Sequence, residues 1–228
     1  MELMVTKRED TQHPERVLNA AREEGIRIEA VHAPFLMGAK KVWGDYRGKI
    51  EHSLQMARLT GAGVVVVHLP YFWELGYSRW MRRQMSTVPR DGEVVVAVEN
   101  AIMLKIHRPL NFSRFNSLDQ LSRFPHLVFD TSHFAIAGLD IFQAWEELRE
   151  KVRHIHLSNN YLMGYDDHAL PFQGRLPLDR FLAGVYRDGY RGKVALELGP
   201  GPLEARLGER RIVDNLRRSL AFCRAAIS

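Results

Sequence analysis

Short apolar runs that end in a metal-binding or acid/base side chain recur along this chain at nearly regular spacing. His32 closes IRIEAVH, His68 closes VVVVH and Glu99 closes VVVAVE. Asp130 closes LVFD, His156 closes VRHIH and Glu197 closes VALE, while Glu2 in the opening MELMV is a candidate first member. From His32 onward the intervals are 36, 31, 31, 26 and 41 residues, about the length of one βα unit. A buried strand that ends in a reactive residue, repeated many times, is how a (β/α) barrel assembles a site at the C-terminal mouth of its strands. In mid-strand such residues would be buried charges in need of partners. At strand ends they converge, and convergence is what a metal ion requires.

The stretches between these runs read as helices. Met1–Val5 is expected as a strand and Pro14–Glu24 as a helix, with Pro14 in the first turn and Gly25 as the stop. Further strands are expected at Ile28–Val31, Val64–Val67, Val94–Val98, Leu127–Phe129, Val152–Leu157 and Lys193–Leu198. Helices are expected at Lys49–Thr60, within Trp73–Met85, at Ser117–Arg123, Ile141–Lys151 and Leu178–Asp188, and finally up to Ala226. Ser117 and Asp140 precede LDQL and IFQAWEEL as N-caps. The outcome is an α/β fold, a (β/α) TIM-type barrel with seven units where a closed barrel of this type uses eight. Nothing in the sequence divides residues 1–228 into separate domains.

Composition narrows the setting. No apolar stretch reaches the 18 or so residues of a membrane span, and MELMVTKRED lacks the order of a signal peptide. Cys223 is the single cysteine, which excludes an internal disulfide and fits a reducing, cytoplasmic setting. A formal charge of +5 and a pI near 9.5 lean towards anionic partners.

Two further clusters add ligands. Asp130-Thr-Ser-His133 places an imidazole just past a strand-end carboxylate, in what reads as a loop ending at Gly138. Asp166-Asp167-His168 lies in the long loop after the sixth strand, before PFQG. Mixed imidazole and carboxylate donors suit zinc, manganese or cobalt, whereas carboxylates alone would suggest magnesium.

The ordered set VHAP, VVVHLP, VEN, FDTSHFAIAG, HIHLSNN, DDHALPFQG and LELGP resembles the xylose-isomerase-like TIM barrels. That superfamily includes sugar-phosphate isomerases and epimerases as well as endonuclease IV-type apurinic/apyrimidinic endonucleases. The resemblance runs over nearly the whole chain, with MELMV matching the family's second strand and its usual first unit missing. An open barrel edge would result, with dimerisation or local instability as its expected consequence.

The resemblance implies a divalent metal (zinc, manganese, cobalt or magnesium) on Glu99, Asp130, His156 and Glu197, with Glu99 able to bridge two ions. In the endonuclease-like members His32 and His68 share Glu99 at a second ion, and His133, Asp166 and His168 hold a third. It further implies isomerisation or epimerisation of a sugar or sugar phosphate. Glu99 and Glu197 would remove and return a proton beside a metal-bound carbonyl, and His133 would help hold substrate. The alternatives are a metal-dependent phosphodiesterase acting on abasic DNA, with Tyr71, Phe72 and Trp73 as stacking rings, and a non-catalytic metal-binding barrel. Trp43, Tyr71, Trp73, Asn100, Asn159 and Tyr161 are the candidate substrate-contacting loop residues.

Overall fold

The computed structural model describes residues 1–35, 39–84, 94–101, 104–105 and 109–228. They group into two compact units, Met1–Glu99 with Ser113–Val128, and Asn100–Phe112 with Phe129–Ser228.

In the first unit β1 (Glu2–Met4), β2 (Ala30–His32), β3 (Val64–His68) and β4 (Val95–Glu99) pair in chain order, each parallel to the next. The start of β7 (Leu127–Asp130) adds beyond β4, with Glu99 in register with Val128. Valine fills β3 because a parallel strand is covered on both faces. Val66, Ala97 and Val128 form its buried centre. In the second unit β8 (Val152–Leu157) and β9 (Lys193–Leu196) are parallel. With β7 running from one unit into the other, the main sheet has the seven expected strands. A small antiparallel pair, β5 (Leu104–Lys105) and β6 (Pro109–Leu110), is additional; two-residue strands leave no periodicity to read.

The helices are α1 (Pro14–Glu23), α2 (Tyr46–Thr60), α3 (Leu75–Gln84), α4 (Leu118–Leu121), α5 (Thr131–Ile136), α6 (Ile141–Leu148), α7 (Leu178–Arg187) and α8 (Glu209–Ala226). Pro14 and the Ser117 and Asp140 caps act as the sequence implies, with Gln120 completing a capping box at Ser117. Met85, the expected end of α3, lies outside the described residues.

Two expectations require correction. α2 begins three residues before Lys49, because the Asp45 side chain accepts the backbone N–H groups of Arg47 and Gly48. The segment after Asp130 is not a loop: Asp130 ends β7 and at the same time caps α5 by accepting the His133 N–H at 2.8 Å. A carboxylate that closes a strand offers an N-cap to whatever follows, and the composition of TSHF alone does not reveal that the chain takes it up.

Aromatic packing holds the second unit together. The Phe129 ring centroid lies 4.6 Å from Phe134, 5.7 Å from Trp145 and 5.4 Å from Phe181, and all four residues are buried. No helix among the described residues is long and apolar enough to cross a membrane.

Candidate metal centres

The first unit gathers His32, His68 and Glu99. Each closes its own strand, and His68 and Glu99 are register partners on β3 and β4. The two Nε2 atoms are 3.2 Å apart, and Glu99 Oε2 lies 3.4 Å from His32 and 3.1 Å from His68. With metal–ligand bonds near 2.1 Å, a tetrahedral zinc site has donor–donor edges of about 3.4 Å. The three edges here, 3.1–3.4 Å, lie close to that figure.

Tautomer chemistry points the same way. His32 Nδ1 lies 3.2 Å from the Ala33 carbonyl, so in the neutral ring Nδ1 carries the proton and Nε2 presents a lone pair. That lone pair meets another imidazole nitrogen and a carboxylate oxygen, a donor cluster suited to a cation. His32 and Glu99 are almost fully buried, whereas His68 is 24% exposed. Tyr77 anchors His68 by donating its hydroxyl to the His68 carbonyl at 2.8 Å. In the loop that follows, Tyr71 and Trp73 stack at 4.8 Å, and the rings of Phe72 and Trp73 are exposed. Arg114 fixes this loop through the Phe72 carbonyl.

The second unit holds two groups. In one, His156 Nδ1 is 3.0 Å from Glu197 Oε2 and 3.8 Å from Asp130 Oδ2. Capping of α5 engages Asp130 Oδ1 and so fixes the rotamer that turns Oδ2 towards His156. Thr131 Oγ1 donates to the His156 and Ser158 carbonyls and holds the end of β7 against the end of β8. His156 and Asp130 are buried, and Glu197 keeps 23% of its side chain open.

In the other group, His133 Nε2 and His168 Nε2 approach the same oxygen, Asp166 Oδ2, at 3.1 and 2.9 Å. Supporting residues that the sequence did not flag orient this carboxylate. Ser132 donates to its other oxygen, and Asn160 donates to Ser132 at 2.9 Å. His133 Nδ1 is held by the Asn100 carbonyl at 2.8 Å, the outer hydrogen bond that metal-ligating histidines ordinarily make. His168 adopts a left-handed backbone, φ 42°, a strain found where a side chain must be aimed.

Two candidate substrate residues have structural partners instead. The Asn100 side chain exchanges two hydrogen bonds with the Asp130 backbone, at 2.8 and 3.2 Å. Because Asn100 directly follows Glu99 in the chain, it couples the end of β4 to that of β7. Asn159 ties the long loop together through Pro171 and Leu176. Tyr161 is exposed and remains available to a ligand.

The charges of the metal-free protein give a pH prediction. Burial disfavours a charged His168, but Asp166, helped by Glu197 and Asp130, outweighs it and pushes the pKa up to about 9 from 6.5. Burial also opposes ionisation of Asp166, yet hydrogen bonds from His133 and His168 prevail and hold its carboxyl well below the usual 3.8. The raised histidine stabilises fully below pH 6.5, and its contribution is lost as pH climbs through about 9. The depressed carboxylate stabilises above pH 3.8 and loses its contribution as pH falls. Thermal melts of chelator-treated protein should therefore show Tm declining from pH 6.5 to 9, and His168→Gln should flatten that decline. An unchanged slope in the variant would refute the pairing.

The model of a family described as "Xylose isomerase-like TIM barrel" matches residues 1–225. An uncharacterized protein of Mycobacterium leprae is 28% identical over 254 residues, covering 98% of this chain and 86% of its own. Among solved structures, IolI protein with a zinc atom is 16% identical with a TM-score of 0.69, covering 100% of this chain and 87% of that one. A D-tagatose 3-epimerase-like protein is 19% identical with a TM-score of 0.67, covering 100% and 90%. An AP endonuclease, family 2, from Brucella melitensis is 14% identical with a TM-score of 0.63, covering 86% and 81%. At these identities the solved structures share the fold.

Proposed function

Because the chain belongs to the xylose isomerase-like TIM barrel family, we propose that it is a metal-dependent isomerase or epimerase of a sugar or sugar phosphate. The observation that carries this reading is Glu197. It is a partly open carboxylate in contact with a buried imidazole that shares its Nδ1 with a buried aspartate. A base that moves a substrate proton must be reachable, while the groups that hold an ion are best buried. Resemblance to a D-tagatose 3-epimerase-like protein and to IolI supports the same class.

Glu99, Asp130, His156 and Glu197 would hold one divalent ion, which when bound polarises a substrate carbonyl and makes the adjacent C–H acidic. In epimerisation Glu197 would take the proton from one face of that carbon and Glu99, in its protonated form, would deliver its own proton to the other face, so that the two carboxyl groups exchange protonation states. His133, with Nδ1 fixed by Asn100 and Nε2 beside Asp166, would help hold substrate together with that carboxylate. The buried walls around His32 and Glu99 keep bulk water away from the transferred proton. Residues 1–228 work as one domain in the cytoplasm.

Incubation with a panel of ketoses and their phosphates in D2O should place deuterium at a single carbon, seen by NMR, only with divalent metal present. Chelation should abolish the exchange. One exchangeable ion per chain accords with this reading.

A second reading has its own support. The triangle of His32, His68 and Glu99 and the His133–Asp166–His168 group complete a nine-residue, three-ion set, and the rings of Phe72 and Trp73, in the loop that follows His68, are exposed. These features suit a phosphodiesterase acting on abasic DNA. Three tightly held zinc ions, cleavage of an abasic duplex and no deuterium exchange would replace the first reading with this one.

A further inference from the structure

A cavity of about 280 Å³ opens in the second unit, lined by the end of α6, the start of β8 and the turn between α7 and β9. It lies far from the ligands on the same strands. Val152, at its edge, begins β8, and His156 comes four residues later, roughly 13 Å away at the rise of an extended strand. The turn is built by Gly189, whose left-handed backbone (φ 79°) closes α7, and by Gly192. A Cβ on Gly192 would meet the Tyr190 hydroxyl at 2.2 Å, so glycine there lets the Tyr190 ring lie against the backbone as one wall.

The lining carries three arginines and two carboxylates. Arg149 is committed to both acids, at 3.1 Å from Asp188 and 3.8 Å from Glu150, and to Glu146 outside. Trp145 donates to the same Asp188 oxygen at 2.8 Å. Arg149 thus offsets part of the acidic charge of the wall, and the lining as a whole, three arginines against two carboxylates, keeps a net positive charge. Arg153 and Arg191 are different: they donate only to backbone carbonyls, those of Glu150, Val152 and Tyr190, and neither forms an ion pair with a described residue. Tyr190 adds no negative charge, because burial pushes its hydroxyl well up; that hydroxyl donates to the Lys193 carbonyl.

Two uncommitted guanidiniums beside an aromatic wall, in a cavity just below the size of ordinary ligand pockets, select a small oxyanion. Each guanidinium can give forked N–H donors to a tetrahedral phosphate, a geometry lysine cannot offer. We propose that this cavity binds the phosphate group of a small phosphorylated molecule, at a site apart from the metal ligands. Occupancy would bridge the start of β8 to the turn that leads into β9, the two strands that end at His156 and Glu197.

The test uses isotope-labelled, metal-loaded full-length protein titrated at fixed ionic strength with inorganic phosphate, with glycerol phosphate, and with chloride as control. Both phosphates should give saturable shifts at the Gly189 and Gly192 amides, and chloride should not. Arg153→Gln combined with Arg191→Gln should weaken binding by about tenfold or more while metal content and Tm stay as in the parent. Four results would overturn the proposal. One is no saturable shift at the two glycines, and another is undiminished binding by the double variant. The third is binding of free phosphate with exclusion of the ester. Shifts confined to the segments carrying Asp130, His156 and Glu197 would place the anion at the metal ligands and overturn it equally.

Discussion

Glu99→Gln is expected to lower turnover by about 10²–10⁴-fold, the range that a positioned proton-transfer group contributes, while leaving the fold intact. Glu99 ends β4 with its side chain 3% exposed and its Oε2 within 3.4 Å of two imidazole nitrogens. Glutamine keeps the length and shape of the side chain but removes the charge that attracts a cation and the lone pair that accepts a proton. Burying a neutral amide is less costly than burying a carboxylate, so metal-free Glu99→Gln should melt no lower than the metal-free parent. Activity, metal per chain and Tm measured together check this. A variant with parental turnover and metal content would remove Glu99 from the chemistry altogether.

Phe129→Ala should be the most damaging core substitution, costing about 3–5 kcal/mol, the usual range for deleting a buried aromatic side chain. Phe129 is 1% exposed and its ring meets Phe134, Trp145 and Phe181. It also immediately precedes Asp130, whose carboxylate both caps α5 and faces His156. A cavity there should loosen β7 against α5 and carry Asp130 off its ligand position. Denaturant titration should show the midpoint falling, with weakened metal binding under native conditions. Phe129→Leu, which fills more of the space, should recover most of both. A loss of metal binding that Phe129→Leu fails to recover would mean that ring packing is not what places Asp130.

The strands were legible because a parallel strand covered on both faces must be apolar throughout. VVVVH, VVVAVE and LVFD admit few other readings, and each ends where a polar group first becomes affordable. The acids and histidines at the strand ends were legible for the same reason: a polar group that closes an apolar run has to sit where the covered part of the strand ends. Helix α2 was read three residues short because Asp45 acts through a side-chain-to-backbone hydrogen bond, and an aspartate four residues before the apolar pattern has no unique meaning. Helix α5 was missed because DTSHFAI is too short to display a helical period. Ser132 and Asn160 gave no signal either, since a hydroxyl and an amide become supports for Asp166 only when the long loop folds back on them.

The sequence by itself determined the seven βα units, the ends at which chemistry is placed and the types of ligand available there, because burial dictates the periodicity and strand ends dictate exposure. Tertiary structure decided how those ligands are grouped. It set nitrogen and oxygen atoms of His32, His68 and Glu99 within 3.4 Å of one another and turned one oxygen of Asp130 to a helix cap and the other to His156. It also left Arg153 and Arg191 without ion pairs among the described residues, at a cavity by the start of β8 and the turn before β9. The reason is directional: hydrogen bonds and coordination depend on angles and on distances of a few tenths of an ångström. Those are fixed by packing among residues remote in the chain, whereas hydrophobic patterning depends only on which face is covered.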